Sequence, residues 1–464
     1  MSGLAPLLLA LQGVALVELL AGVRRFGVGA AWAAALPLGV VSHAVLTLPL
    51  VLVGCPAGPI TASVEAALLL VAAGVVHRRR GAAPVSSPPA PPWSGGERAA
   101  AGAIGAVLAL LAAIAALEPP VEWDVAGIWG FKARVLAAGG DGLVWLSDPA
   151  RAYFHPDYPL AWPLALALDP ALAGAPPRGG AGLLGIGMLA AAGGCAAVLA
   201  GRWGRRAALA AAALVATLPL AGAQAVRLLA DLPLAALFTL AVGAFLRGGE
   251  VGDRKNLAVA AVATAGLPLV KQEGLALAVA AVVVALVRAP RGGRRRLAGA
   301  LAAAVAVVDL PWLAVRLGLP AGADNSFADM TLARALAGIE RLPAIVAALP
   351  TYLGAIADWG GLWFAVVLTL PLLARHRDRD RATTGLAWFL AAPLPLYLAA
   401  LLAGAWPIER LLEVTLARLA LHFAPLAAAL LAAMAAGCGV FGHGPAALPA
   451  APGGPGAEER AAAT

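Results

Sequence analysis

Asp124 lies in "EWDVAGIWGFKARVLAAGG" (122–140), two residues after Glu122, where a run of almost pure Ala, Leu and Ile gives way to a Pro-rich segment. A carboxylate at the end of an apolar run can act as a general base and take a proton from an acceptor hydroxyl. The same residue type also caps helices, because its oxygens accept from the first-turn N–H groups. Asp231 poses the same choice at the start of "ADLPLAALFTLAVGAFL", with Arg227 one helical turn earlier and within pairing reach. "LVKQEGLALA" (269–278) sets Lys271 and Glu273 between two apolar runs with almost no loop. Ions that close to a membrane mark function by default, although a solvated tight turn with a local ion pair would also accommodate them. In "WPIERLLEVTLARLALHFAPLAAALL" (406–431), Arg418 and His422 are four residues apart and share a helix face. An arginine there can hold a phosphate bidentately or snorkel to the interface. Together these stretches supply an acidic site and several single cations that suit a lipid-linked phosphate, held by Lys271, Arg227 or Arg418.

The elements that must position these groups are membrane helices. The chain has 464 residues, of which 61% are hydrophobic and 12% charged. Its mean hydropathy is +0.87. A soluble domain carries about 25% charged residues. Apolar runs long enough to span a bilayer recur along the whole chain, about thirteen of them, so the expected class is an all-α, polytopic transmembrane bundle. The net charge of +8 does not indicate nucleic acid, because the basic residues stand in short blocks between spans. Blocks at Arg24–Arg25, Arg78–Arg80, Arg202–Arg206, Arg247–Lys255, Arg288–Arg296 and Arg375–Arg381 fall on alternate loops, which the positive-inside rule makes cytoplasmic. Most of the acids fall on the other side, which places the polar chemistry at the outer face of a cytoplasmic membrane. Cys55, Cys195 and Cys438 are too far apart to suggest a disulfide framework or a zinc site, and the six histidines have no ligand spacing.

Domain organisation follows from composition. Residues 1–80 form three N-terminal spans, and 81–98 reads as a disordered, Pro-rich cytoplasmic linker. Residues 99–441 form the main transmembrane core, and 442–464 is a disordered tail. Two long outer loops cover about 118–180 and 318–358. The first holds a helix from Asp124 to Ala138, with Ile128, Trp129, Lys132, Val135 and Leu136 on one face. That face suits a helix resting on the outer leaflet, with Lys132 near lipid phosphates. "HPDYPLAWP" (155–163), carrying His155 and Asp157, is too rich in proline to be one regular helix.

These stretches resemble the GT-C superfamily of integral-membrane glycosyltransferases, and more narrowly the bacterial relatives of protein O-mannosyltransferases and of the lipid A aminoarabinose transferase. The resemblance rests on Asp124 in the first large outer loop, "HPDYPLAWPLALAL" (155–168), "ADLPLAALFTLA" (230–241) and "KQEGLAL" (271–277), with weaker support from "LARLALHFAPLA" (416–427). It covers about 99–441. It implies transfer of a sugar from a polyprenyl-phosphate donor to an acceptor hydroxyl at the extracytoplasmic face, with inversion. Asp124 would be the base and Glu122 the second acid. Many relatives carry that acid directly after the first, where this chain has Val125. Lys132, His155, Arg227, Lys271 and Arg418 would meet the donor phosphate or lipid, with Asp157, Asp231 and Glu273 as supporting acids. His155-Pro156 stands where many relatives have Lys-Pro. Some superfamily members use a divalent cation, so the resemblance leaves one open here, although no acidic cluster has ligand spacing strong enough to assert it. The expected partners are the polyprenyl-phosphate sugar, membrane lipids and a glycan, lipid or protein acceptor.

Two other classes fit the composition. A glycolipid transporter or flippase needs polar residues deep within several spans, where only Glu18, Glu65 and Asp309 qualify. A non-catalytic assembly subunit would have dispensable outer-loop charges.

Overall fold

A computed structural model describes residues 4–80, 91–139, 143–169, 172, 182–251, 253–290, 292–319, 331–376 and 381–441. The elements are helical throughout, with no strand among the described residues. Among the described residues, six helices are long and apolar enough to cross a membrane, or up to nine if each of three bent pairs is one span. That is fewer than the thirteen expected. Leu4–Leu20 and Gly274–Arg288 are apolar but short, and two expected spans are broken. Arg205–Ala216 and Pro219–Val226 meet at 60°, and Arg294–Val308 and Leu310–Arg316 at 50°. Proline sits in the first turn of each second helix, where it lacks an N–H and disfavours helical geometry in the residue before it.

The most buried span is Asp231–Gly248, with 89% of its residues inside the protein. It packs beside Leu183–Ala200 and Arg254–Val270. The N-terminal helix Leu4–Leu20 crosses Val28–Leu52 at two glycines. A Cβ on Gly13 would lie 1.7 Å from the Ala35 carbonyl oxygen, and one on Gly39 would lie 1.9 Å from that of Leu9. Membrane helices gain van der Waals contact by such close approach, since lipid supplies no hydrophobic drive between them. By contrast, Ala115 is the only buried residue of Gly95–Leu117, which lies at the bundle's edge.

Two expected irregular segments are more ordered than their composition suggests. The linker assigned to 81–98 ends by Ser94, which caps the next helix in a reciprocal box with Glu97 (3.2 and 2.8 Å). Arg205 fixes the residues before this cap by donating to the carbonyls of Pro91 (2.7 Å) and Pro92 (3.3 Å). Residues 81–90 and the tail 442–464 lie outside the described residues. Within the expected loop 318–358, Leu332–Ala337 and Leu342–Leu353 are helices. The second begins with Pro343 in its first turn, a position where proline favours a helix.

Helix direction separates two ends of the core. Asp231–Val251 leads from Asp231 to Arg247, roughly 25 Å away at 1.5 Å per residue. Arg254–Val270 returns to Lys271, and Gly274–Arg288 leads away again to Arg288. Asp231, Lys271 and Glu273 therefore share one end, and Arg247, Arg254 and Arg288 the other.

Candidate functional site

Asp124, Asp231, Lys271, Glu273 and Arg418 converge at the acidic end. Each is placed by a helix terminus. Asp231 begins its helix and Arg418 lies in the last turn of Ile408–Leu421, where the helix dipole favours an acid and a cation respectively. Lys271 adopts an extended backbone where Arg254–Val270 ends, and Glu273 precedes Gly274–Arg288. The turn between them is so tight that a Cβ on Gly274 would lie 2.0 Å from the Leu267 carbonyl oxygen. Asp124 opens a short π-helical segment, Asp124–Trp129, a conformation found frequently at functional sites.

Their side chains form one continuous ion network. Buried Asp231 is its centre, accepting from Lys271 Nζ (2.7 Å), Arg418 Nε (3.0 Å) and His422 Nε2 (2.9 Å). Arg418 reaches onward through a second nitrogen to Asp124 (2.7 Å), and Lys271 to Glu273 (2.8 Å). Tyr397 Oη lies 2.7 Å from His422 Nδ1. A neutral imidazole satisfies this chain, with the Tyr397 hydroxyl donating to Nδ1 and Nε2–H donating to Asp231.

The network forms the polar wall of a cavity of about 660 Å³. Asp124, Lys271, Glu273, Tyr397 and Arg418 line it, while Asp231 and His422 stand behind. Much of the remaining lining is apolar, including Leu275, Val279, Leu332, Leu396 and Val414. A polar head and an apolar chain can therefore be accommodated side by side.

Two strained residues border this end. His155 and Leu228 have φ of 49° and 56°, and are the only left-handed non-glycine residues among those described. Each carbonyl is held by a buried side chain. Lys132 Nζ donates to His155 O (2.5 Å) and Tyr158 O (3.1 Å), and Trp162 Nε1 donates to Leu228 O (2.8 Å). Such strain persists where surrounding contacts over-determine the backbone.

Lys132 corrects an expectation. Its helix face carries Ile128, Trp129 and Leu136 into the protein rather than onto the leaflet, and all of them are buried. Lys132 itself is fully buried, does not line the cavity and holds the His155–Tyr158 turn. Burial pushes its ammonium down to about 7, against the pull of Asp157. His155 does line the cavity, with its ring stacked on Tyr158 at 4.5 Å between centroids. Glu122 and Arg227 pair with each other at 3.1 Å, half-exposed and away from the cavity lining. Such exposed pairs contribute about 0–1 kcal/mol. Asp157 is buried and accepts from Gln272 Nε2 (2.8 Å), which docks the Pro-rich segment onto the Lys271–Gly274 turn. Gln272 and Tyr397 are thus structural parts of the site that charge patterning passes over. The spacing of His422 from Arg418 did signal a shared face, but not its bond to Asp231.

Among the described residues, no group of three or more His, Cys, Asp or Glu side chains is placed to hold a metal ion. The three carboxylates of the site already have cationic partners, so the donor set does not fit a divalent cation. The fold and site define a helical protein with several membrane-crossing helices and a buried ion network at one end. Comparison with protein-family models, curated proteins and solved structures finds no match to this chain.

Proposed function

We propose that this protein transfers a sugar from a polyprenyl-phosphate carrier to an acceptor hydroxyl at the outer face of the cytoplasmic membrane, as a GT-C-like transferase. One observation carries this reading. Side chains from four distant segments, at 124, 231, 271–273 and 418, meet in one network beside a cavity with a charged wall and an apolar remainder. Lys271 and Arg418 hold the donor phosphate, and the prenyl chain lies along the apolar lining. Asp124 takes the acceptor's proton as its oxygen attacks the anomeric carbon, and polyprenyl phosphate leaves with the electrons of the broken C–O bond. This reading gives Glu122, Arg227 and Lys132 no direct part, since none of them lines the cavity. This reading also counts the shorter apolar helices as spans, and it places the basic blocks in the cytoplasm.

The test compares polyprenyl-phosphate sugars by mass spectrometry in wild type, a deletion strain and Asp124→Asn at matched expression. A donor that accumulates in both mutants supports the transferase and identifies its sugar. Loss of a general base costs about 10²- to 10⁴-fold in rate. If Asp124→Asn matches wild type while the deletion accumulates donor, Asp124 is only a cap. If no strain differs, the donor class is wrong and the transporter reading takes its place.

A further inference from the structure

With the transferase reading as its premise, we infer that Asp124 and Glu273 occupy the places the donor phosphate takes, and that donor binding releases Asp124 to act as base. Neither cation of the network is free. Lys271 is shared between Asp231 and Glu273, and Arg418 between Asp231 and Asp124. Within this network two cations against three carboxylates leave one uncompensated negative charge, with His422 neutral, and the third cation lining the cavity, Arg410, is already paired with Glu413. An incoming phosphate would meet repulsion unless a carboxylate gave way.

Which one gives way is decided by exposure. The Asp231 side chain is fully buried and accepts from three donors, so its departure would strand buried Lys271 and take a partner from half-buried Arg418. Asp124 and Glu273 are different. Their side chains are 24% and 31% exposed, each pairs with a single cation, and both line the cavity. They can turn toward water at little cost. A phosphate has enough acceptor oxygens to replace both, one on Arg418 and one on Lys271. Asp231 stays behind as the anchor that keeps the two cations aimed at the cavity. Until exchange occurs, the Asp124 carboxylate is engaged by the Arg418 guanidinium. Afterwards it is free beside the bound donor, where an acceptor hydroxyl must arrive. The site thus withholds its base until the donor is present, which makes donor binding precede acceptor activation.

The measurement is equilibrium binding of a polyprenyl phosphate, and separately of uncharged polyprenol, to the full chain in lipid nanodiscs. Wild type is compared with Asp124→Asn, Glu273→Gln and Glu122→Gln. Glu122 serves as the charge control, because it is on the same face but pairs with Arg227. The expected result is binding about 3- to 10-fold tighter for Asp124→Asn and Glu273→Gln, for the phosphate lipid only, and unchanged for Glu122→Gln. Unchanged or weaker phosphate binding in Asp124→Asn and Glu273→Gln overturns the exchange and leaves the transferase reading standing. Equal tightening in Glu122→Gln also overturns it, since the effect is then one of overall charge. If wild type and every variant fail to bind the phosphate lipid, the transferase reading falls and the exchange with it.

Discussion

Glu65 and Asp231 are both carboxylates buried among helices, and they differ in what surrounds them. Glu65 is sealed within the N-terminal helices. Thr47 Oγ1 (2.6 Å), His43 Nδ1 (2.6 Å) and Gln12 Nε2 (3.1 Å) surround its oxygens, and Ser42 bonds Gln12 in turn (3.3 Å). None of these residues lines the cavity. Asp231 is equally buried, but two of its partners reach past it to half-buried acids on a cavity wall. Burial of a charge therefore does not itself mark a reactive site. Partners that can be exchanged, beside a space that can admit a ligand, distinguish the second cluster from the first. The Glu65 cluster instead ties together helices that the membrane alone would not hold in register.

Removing the two acids is the largest way to break the comparison. Asp231→Ala should cost about 3–5 kcal/mol, because it leaves buried Lys271 and half-buried Arg418 with too little negative charge. It should also abolish transfer. Glu65→Leu should cost about 1–3 kcal/mol for the donors left unsatisfied, with transfer per folded molecule unchanged. Equilibrium unfolding in mixed micelles, paired with activity normalised to folded protein, separates the two. An inactive but fully folded Glu65→Leu would show that the N-terminal cluster is functional after all. Tyr397→Phe sharpens the contrast with a smaller effect. It removes the hydroxyl from His422 Nδ1 (2.7 Å) and should cost about 0.5–1.5 kcal/mol. Its effect on transfer should be larger than that loss of stability accounts for, if His422 helps to orient Asp231. Equal stability and equal activity would remove Tyr397 from the positioning chain.

Much of the site was legible because charges at the ends of apolar runs are expensive and few. Asp124, Asp231, Lys271, Glu273 and Arg418 stood out on that ground, and their convergence is a fact of folding that no spacing supplied. Lys132 shows the limit. Periodicity identified its helix face, but the same apolar stripe can meet lipid or protein, and here it meets protein. Glu122 was drawn in by its nearness to Asp124 in sequence, whereas its partner in space is Arg227. Gln272 and Tyr397 carry no charge, so nothing in composition separated them from ordinary turn and span residues. The span count suffered from a related ambiguity. Long apolar runs conceal bends at Pro219 and Pro311 that divide one run into two helices.

Lys132 also gives the smallest and most selective test of the difference between site and scaffold. Its folded pKa of about 7 lies below the ordinary lysine value because burial disfavours the ammonium. Between about pH 7 and the unfolded value near 10.4, the unfolded chain binds more protons than the folded one. Stability from this group therefore rises as pH increases through 7, by roughly 1 kcal/mol between pH 6 and 8. A neutral amine can still donate to the carbonyls of His155 and Tyr158, so the strained turn stays in place on deprotonation. Lys132→Met should flatten this pH slope whatever its fixed cost in stability. Unfolding measured at pH 6, 7 and 8 for both proteins checks it, and a slope that survives in Lys132→Met would have to come from another group. Donor affinity should not follow the same titration, because Lys132 has no face on the cavity. If donor affinity does follow it, the lysine is part of the site and the inward-facing assignment is wrong.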